Sequence, residues 1–274
     1  MVSLPAASDF ARCTGQAPPS VAGSSRNKVN DLLPVSADAS DRRKRFSAKA
    51  EVAPSETGIA VTLDGRTPRS PEGRRLILPT RGMAELVAKE WAAQGAEIAP
   101  ATMIATRLAW MGLAFADGEG REVAAARLGE YAGSDLLCYF ADGPAALIEQ
   151  QQRLWTPLID WAESELGVVF SPARGIVHQA QPEATLQRFR DLAGAEDAFA
   201  LAGLTAAAPL FGSAILAFAL RRGWLEADAA FSLSRIDDAF QEERWGIDAE
   251  AAARVAAMAN EALMLGRWFE ALEH

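Results

Sequence analysis

Histidine and cysteine are almost absent from this chain, which has 274 residues but only two of each. Cys13, Cys138, His178 and His274 are scattered along it, and no CxxC or HExxH pattern occurs. Zinc sites are built from close groups of these residue types, and a disulfide framework needs several cysteines. The sequence therefore excludes both, and no metal is expected.

Motifs that hold nucleotides or activate a nucleophile are also missing. The sequence has no GxxxxGK[ST] phosphate loop and no GxSxG motif, and Gly118-Glu119-Gly120 lacks a third glycine and a preceding strand. A nucleophilic Cys138 would need a base, and His178 is the candidate because His274 ends the chain. Since Cys138 lies in an apolar stretch, we expect a buried structural cysteine. No cofactor is expected.

The charge is negative overall but unevenly distributed. The net charge is −9, yet residues 1–50 hold eight Lys/Arg and four Asp/Glu, a net of +4. The other 224 residues therefore hold 19 basic and 32 acidic groups, a net of −13. An acidic body repels phosphates, so nucleic acid is not an expected partner. The basic run at 42–45 is typical of a solvated segment before a first strand.

Turn signals and apolar spacing predict an α+β fold with a small N-terminal antiparallel β-meander. Residues 1–41 are rich in Ser, Ala, Pro and Asn, which predicts a disordered arm. Residues 46–52 are predicted as the first strand, and Asp64-Gly65 as a hairpin turn. Thr80 is a plausible N-cap for a helix whose apolar face carries Met83, Val87 and Trp91.

The rest of the chain has helical spacing almost throughout, which predicts a larger all-α C-terminal domain. A break at 117–120 separates an N-terminal α+β domain (42–118) from this helical domain (119–274). One helix is expected from Pro144 to Leu166, ending at Gly167. The last helix is expected to begin near Asp248, with an apolar stripe at spacings of four and three: Ala251, Val255, Met258, Ala262, Leu265 and Phe269.

Residues 198–220 carry no charged side chain, a run long enough to span a bilayer. Pro209 and the glycines at 203 and 212 interrupt it, and its many alanines contribute little transfer energy. Two buried helices of a bundle, joined near residues 205–208, explain the run better than a membrane helix. Stable membrane insertion is therefore not expected.

The densest group of polar residues lies on a predicted helix near residue 237. It comprises Asp237 and Asp238, followed by Gln241, Glu242, Glu243, Arg244 and Trp245. The residues predicted to contact a partner are Asp237, Asp238, Phe240, Gln241 and Trp245, beside an apolar stripe. Adjacent helical residues diverge by about 100°, so the two aspartates do not easily converge on one atom. An acidic and aromatic rim of this kind favours a partner-binding edge. Glu90 and Trp91 form a second candidate, although Trp91 also continues a predicted core face.

The same residues carry a resemblance that extends over about 200 residues. Its segments keep a consistent order and spacing: Arg45-Phe46, Leu63-Asp64-Gly65-Arg66, Leu78-Pro79-Thr80, Glu90-Trp91 with Gln94, Pro100, Met103, Asp135 to Tyr139, Trp155, Pro157, Trp161-Ala162, Gln181-Pro182, Gly212-Ser213, Ser234 to Asp238, Phe240-Gln241 and Trp245-Gly246. In these segments the chain resembles the ATP-twelve family of chaperones, which assemble the catalytic head of F-type ATP synthase. It departs from the family pattern at Thr156, at Ile104, and at two aspartates where glutamate is frequent.

The resemblance implies a function as well as a fold. It implies a small α+β domain followed by a helical domain, in agreement with the spacing of apolar residues. It also implies a monomeric, non-enzymatic chaperone that binds the free alpha subunit of ATP synthase until the beta subunit replaces it. Arginine outnumbers lysine 23 to 4 and alanine is abundant, which favours a bacterial source and the cytoplasm. A eukaryotic source would imply the mitochondrial matrix.

Two alternatives stay open at this point. One is an enzyme with an acidic cleft between the two domains, in which Asp237, Asp238 or Glu242 is the acid or base and His178 lies nearby. The side chains would then converge within hydrogen-bonding distance in a deep pocket. The other is a membrane-associated assembly factor that depends on residues 198–220.

Overall fold

A small antiparallel sheet opens the part of the chain that the structure, a computed structural model, describes: residues 49–70 and 72–273. Its strands are β1 (Ala50–Ser55), β2 (Gly58–Leu63) and β3 (Ile77–Leu78), in that order across the sheet. A two-residue turn joins β1 to β2, which pair along their whole length. The predicted fold class is confirmed. In the described residues β1 runs from Ala50 to Ser55, beyond residue 52 where the prediction ended it, and residues 46–48 of the predicted strand lie outside the described range. Residues 1–41, the predicted disordered arm, lie outside the described range.

The predicted turn at Asp64-Gly65 is confirmed. Both residues have positive φ values, 47° and 77°, and the N–H of Arg66 donates to the carbonyl of Leu63 at 3.0 Å. Two successive positive φ values define the turn that matches the twist of antiparallel strands, and glycine adopts them without steric cost. Before β3 the described chain forms isolated bridges between Leu63 and Arg66 and between Arg69 and Arg75, and strand pairing resumes at β3.

Helices make up most of the remaining chain, together with two short strands that pair in parallel. The helices are α1 (Arg81–Ala92), α2 (Ile104–Ala116), α3 (Arg121–Gly133), α4 (Ala145–Trp161), α5 (Glu183–Ala195), α6 (Ala198–Phe211), α7 (Ala214–Arg221), α8 (Ala227–Ser234), α9 (Ile236–Trp245) and α10 (Ala249–Leu272). The two strands are β4 (Tyr139–Phe140) and β5 (Ala173–Arg174). A π-helical turn, Ala162–Leu166, extends α4 to Gly167, whose φ of 68° ends it where the sequence predicted.

Helix α1 covers the sheet and connects it to the end of the chain. The Thr80 hydroxyl accepts a hydrogen bond from the N–H of Met83 at 3.2 Å, so the predicted N-cap is confirmed. The same hydroxyl donates to the carbonyl of Ala271 at 2.6 Å. Arg107 on α2 pairs with Glu261 on α10 at 3.1 Å. These bonds cross the predicted boundary at 118/119, as does one continuous cluster of buried side chains. The two-domain division stays a prediction.

The uncharged run 198–220 forms two buried helices, as predicted, but it divides at another place. Pro209 lies inside α6, and the break falls at Gly212 and Ser213. Gly212 has a φ of 64°, and the hydroxyl of Ser213 accepts from the N–H of Leu216 at 3.0 Å. A left-handed glycine followed by a capping serine ends one helix and starts the next more effectively than a proline in a last turn.

Candidate partner-binding surface

Helix α9 carries most of the predicted site residues, and its sequence accounts for its position. Ile236 is buried and anchors the first turn. Asp237 and Asp238 lie at the positive end of the helix dipole and Arg244 at the negative end, which stabilises the helix. Gly246 has a φ of 77° and ends α9.

Asp237 points toward the protein interior. Its Oδ1 accepts a hydrogen bond from Nε2 of the buried Gln151 at 2.5 Å, and Oε1 of Gln151 accepts from the N–H of Ala141 at 2.8 Å. Partial burial raises the pKa of Asp237; the hydrogen bond from Gln151 opposes this shift, and the charge of Asp238 adds to it. Asp237 thus joins α9 to α4, at the margin of the apolar stripe as the sequence predicted.

The opposite face of α9 is exposed. Asp238, Gln241 and Trp245 are spaced three and four residues apart, so they share one side of the helix, and all three are exposed. Trp245 is 57% exposed. Arg235, itself largely buried, forms ion pairs with Glu242 and, at 3.8 Å, with Asp238. The outer face of α9, defined as Asp238, Gln241 and Trp245, therefore combines an acidic end with an exposed aromatic ring.

Phe240 belongs to the inner side of the helix. It is half-buried and packs against the core, and the guanidinium of Arg244 lies 4.0 Å from the centre of its ring. Such a cation–π contact stabilises the last turn of α9. The five residues predicted here thus divide between an inner pair, Asp237 and Phe240, and the outer face.

The outer face continues into the corner between α9 and α10. Ile247 is 43% exposed, and the carboxylate of Asp248 caps α10 by accepting from the N–H of Ala251 at 2.8 Å. Among the described residues of α10, the first buried one is Ala262. The first three turns of the helix therefore contribute no buried side chain to the core. Ala251, Val255 and Met258 of the predicted stripe are half-exposed there.

Glu90 does not lie on this surface. It is only 8% exposed, and its carboxylate accepts from the N–H groups of Ala105 (2.7 Å) and Thr106 (2.8 Å) and from the Thr106 hydroxyl (2.9 Å). Met103, the N-cap residue of α2, has no side-chain oxygen, so Glu90 supplies the cap from α1. Burial raises the pKa of Glu90 although these donors oppose the shift. Trp91 is half-buried and packs against the core.

The side chains predicted for the enzyme alternative interact with different residues of the protein. Asp237 bonds to Gln151, whereas Asp238 and Glu242 both face Arg235. His178 Nδ1 lies 3.0 Å from the hydroxyl of Tyr139. Asp237 is directed to Gln151 while Asp238 and Glu242 share Arg235, so the three carboxylates do not meet at one point, which the enzyme alternative requires.

Cys138 is buried, and burial raises the pKa of its thiol well above the usual range, so the thiolate is suppressed. Within the described ranges, no group of three or more His, Cys, Asp or Glu side chains could hold a metal ion. Nor does any helix in the described part of the chain have the length and apolarity to cross a membrane.

The sequence did not indicate the roles of two buried polar residues, Asp135 and Gln151, which hold helices α7 and α9 in place. Asp135 is fully buried, and its carboxylate accepts from the N–H groups of Leu137 (3.1 Å) and Ile215 (3.0 Å), which holds the start of α7. Gln151 connects α4, α9 and the segment after β4. The position of Asp135 before an apolar run indicates an N-cap, which accounts for its bond to Leu137. Its second partner, Ile215, is 80 residues away and could not be predicted from the local sequence.

Comparison with known proteins gives consistent results. The family model described as "ATP12 chaperone protein" matches residues 44–163. The mitochondrial protein atp12 of Schizosaccharomyces pombe is 25% identical over 201 residues, which cover 69% of this chain and 68% of that protein. Two solved structures of Paracoccus denitrificans Atp12, one of them a mutant, are each 38% identical with a TM-score of 0.74. Each match covers 83% of this chain and 97% of theirs.

A third structure, of a protein from Agrobacterium tumefaciens, is 33% identical with a TM-score of 0.76. The match covers 84% of this chain and 86% of that one. The identity and coverage of these structures exceed what a shared fold alone requires, and the earlier resemblance is confirmed. The chain therefore belongs to the ATP12 chaperone family, a family of assembly chaperones for ATP synthase.

Proposed function

We propose that this protein binds the free alpha subunit of ATP synthase and covers its exposed assembly surface until the beta subunit takes its place. The observation that carries the proposal is the outer face of α9 with the half-exposed start of α10. Family membership supports the general role of an assembly chaperone. The choice of the alpha subunit rests on the family resemblance. An unassembled subunit exposes apolar surface that its neighbour later covers, and such surface is prone to aggregation.

Three features make the α9–α10 corner a suitable contact. Trp245 and Ile247 offer apolar side chains to a partner, and tryptophan is enriched among residues that dominate binding energy. Asp238 and Gln241 add polar groups beside them, in the pattern of an apolar centre with a polar rim. The inner residues Asp237 and Phe240 hold α9 in place, so this face is pre-formed rather than ordered on binding.

The first experiment is co-purification of tagged alpha subunit with this protein, with and without beta subunit. We expect retention by free alpha subunit and release when beta subunit is added. Retention of this protein by the preformed alpha–beta complex as strongly as by free alpha subunit would contradict the proposed shielding role, and no retention by either would refute the proposed partner.

A charge reversal tests the acidic end of the surface. Asp238→Lys should weaken binding about tenfold, because an exposed charge that faces a partner acts on association more than on folding. Glu56→Lys, in the exposed β1–β2 turn, is the matched control and should bind normally. Far-ultraviolet circular dichroism should be the same for both variants. Equal binding by the two variants would remove Asp238 from the contact.

We further propose that the protein works as a monomer in the compartment where ATP synthase heads are assembled. That is the cytoplasm in a bacterium and the mitochondrial matrix in a eukaryote. Light scattering during size-exclusion chromatography would test the first point, and a mass of 29.2 kDa is the expected result.

A further inference from the structure

The loop between β5 and α5 carries the most exposed apolar side chains of the described chain. Ile176 is fully exposed and Val177 is 76% exposed. They follow each other at the tip of a loop formed by residues 175–182. Two adjacent aliphatic side chains in solvent would gain free energy if a partner buried them, which makes this tip a candidate contact.

The base of this loop is firmly held. The N–H of Gly175 donates to the carbonyl of Phe140 at 2.8 Å, and His178 pairs with Tyr139. Gly175 has a φ of 75°, and a Cβ there would lie 2.4 Å from a carboxylate oxygen of Asp142. The tip is thus presented on a fixed support, which lowers the entropy cost of binding through it.

A second set of bonds closes the far side of the loop. The side-chain oxygen of Gln181 accepts from the N–H of Ser171 at 2.8 Å, and its amide nitrogen donates to the carbonyls of Ser171 (3.1 Å) and Gln179 (3.3 Å). Residues 172–182 contain no carboxylate, although the chain as a whole is acidic. The loop therefore suits an apolar recess in a partner rather than a basic patch.

A short series of hydrogen bonds links the base of the loop to helix α9. Gly175 bonds to Phe140, and the next residue, Ala141, bonds to Gln151, whose amide holds Asp237 at 2.5 Å. The base of the loop and helix α9 are therefore both hydrogen-bonded to one segment: the loop directly through Phe140, and α9 through Gln151 and Ala141. A partner the size of an ATP synthase subunit that covers the outer face of α9 can extend to the loop, because a typical interface covers about 800 Å² on each partner.

We infer that Ile176 and Val177 form a second contact of the same client interface, and that this tip inserts into an apolar recess of the subunit bound by α9. This inference rests on the proposed function. It adds a contact outside the segment that sequence reasoning singled out, and it requires the two contacts to act on one client molecule.

The test uses the full chain and purified ATP synthase alpha subunit. The double variant Ile176→Ser/Val177→Ser should bind alpha subunit at least tenfold more weakly, with an unchanged thermal midpoint. Val123→Ser, which changes an exposed valine on α3, should bind as the unmodified protein does. A photo-crosslinking side chain at position 176 should join to alpha subunit, and one at position 123 should not.

The outcomes separate the inference from the proposed function. If the unmodified protein binds alpha subunit and the double variant binds within twofold of it, the inference is wrong and the proposed function stands. If the unmodified protein does not bind alpha subunit, both are wrong. If the double substitution instead abolishes self-association in gel filtration, or sedimentation with phosphatidylcholine vesicles, while alpha-subunit binding is unchanged, the tip serves another occupant and the inference is overturned.

Discussion

Replacing Glu90 by alanine separates a structural role from a role in partner binding. The change would leave the buried N–H groups of Ala105 and Thr106 without their acceptor. Each unsatisfied buried donor costs about 1–3 kcal/mol, and relief of the desolvated carboxylate offsets part of this. We expect a loss of about 2–4 kcal/mol in the free energy of unfolding, which corresponds to a lower thermal midpoint by roughly 4–16 °C for a chain of this size.

Urea unfolding followed by tryptophan fluorescence measures this loss, with alpha-subunit binding measured below the transition. Glu90→Gln keeps one acceptor oxygen and should lose about half as much stability. Glu85→Ala, on the exposed side of the same helix, should change stability by less than about 0.5 kcal/mol. Normal stability with lost binding in Glu90→Ala would show that Glu90 is a contact residue and that the capping argument is wrong.

Two further predictions concern the core. Burial raises the pKa of Asp135 from its ordinary value of 3.8 to about 6, so the folded state retains a proton that the unfolded state releases. Stability relative to Asp135→Asn should therefore fall by about 2 kcal/mol as the pH rises from about 4 to about 7, and a constant difference in urea unfolding would contradict this. At Gly203 an added Cβ would lie 2.5 Å from the Phe269 ring, so Gly203→Ala should destabilise by about 1–2 kcal/mol despite better helix propensity. Gly194→Ala, where nothing lies within 4 Å of the added Cβ, should be neutral or stabilising by up to about 1 kcal/mol, and equal urea midpoints for these two variants would refute the packing argument.

Local signals were sufficient for most elements of the fold. Thr80, Gly167 and the Asp64-Gly65 turn act through neighbours a few residues away, so their caps and turns could be predicted from the sequence. The predicted break at residues 205–208 is wrong, because Gly212 and Ser213 end one helix and start the next while Pro209 stays inside α6. A proline near the end of a helix loses one hydrogen bond, whereas a left-handed glycine and a capping serine redirect the chain.

The candidate site was predictable only in part, for a related reason. Spacing alone places Asp238, Gln241 and Trp245 on one helix face and Asp237 at its margin. Which side faces inward depends on Gln151, which is 86 residues from Asp237 in sequence. The contact role of Glu90 stays a prediction, and its capping partners at the start of α2, 15 and 16 residues away, are not indicated by its own segment.

The most direct test of the central proposal follows the aggregation of free alpha subunit by light scattering at a temperature where this protein stays folded. We predict that an equimolar amount of this protein suppresses the increase in scattering. Trp245→Ala should suppress it less, and added beta subunit should release the protein into the unbound fraction. Scattering that rises at the same rate with and without this protein would contradict the proposal.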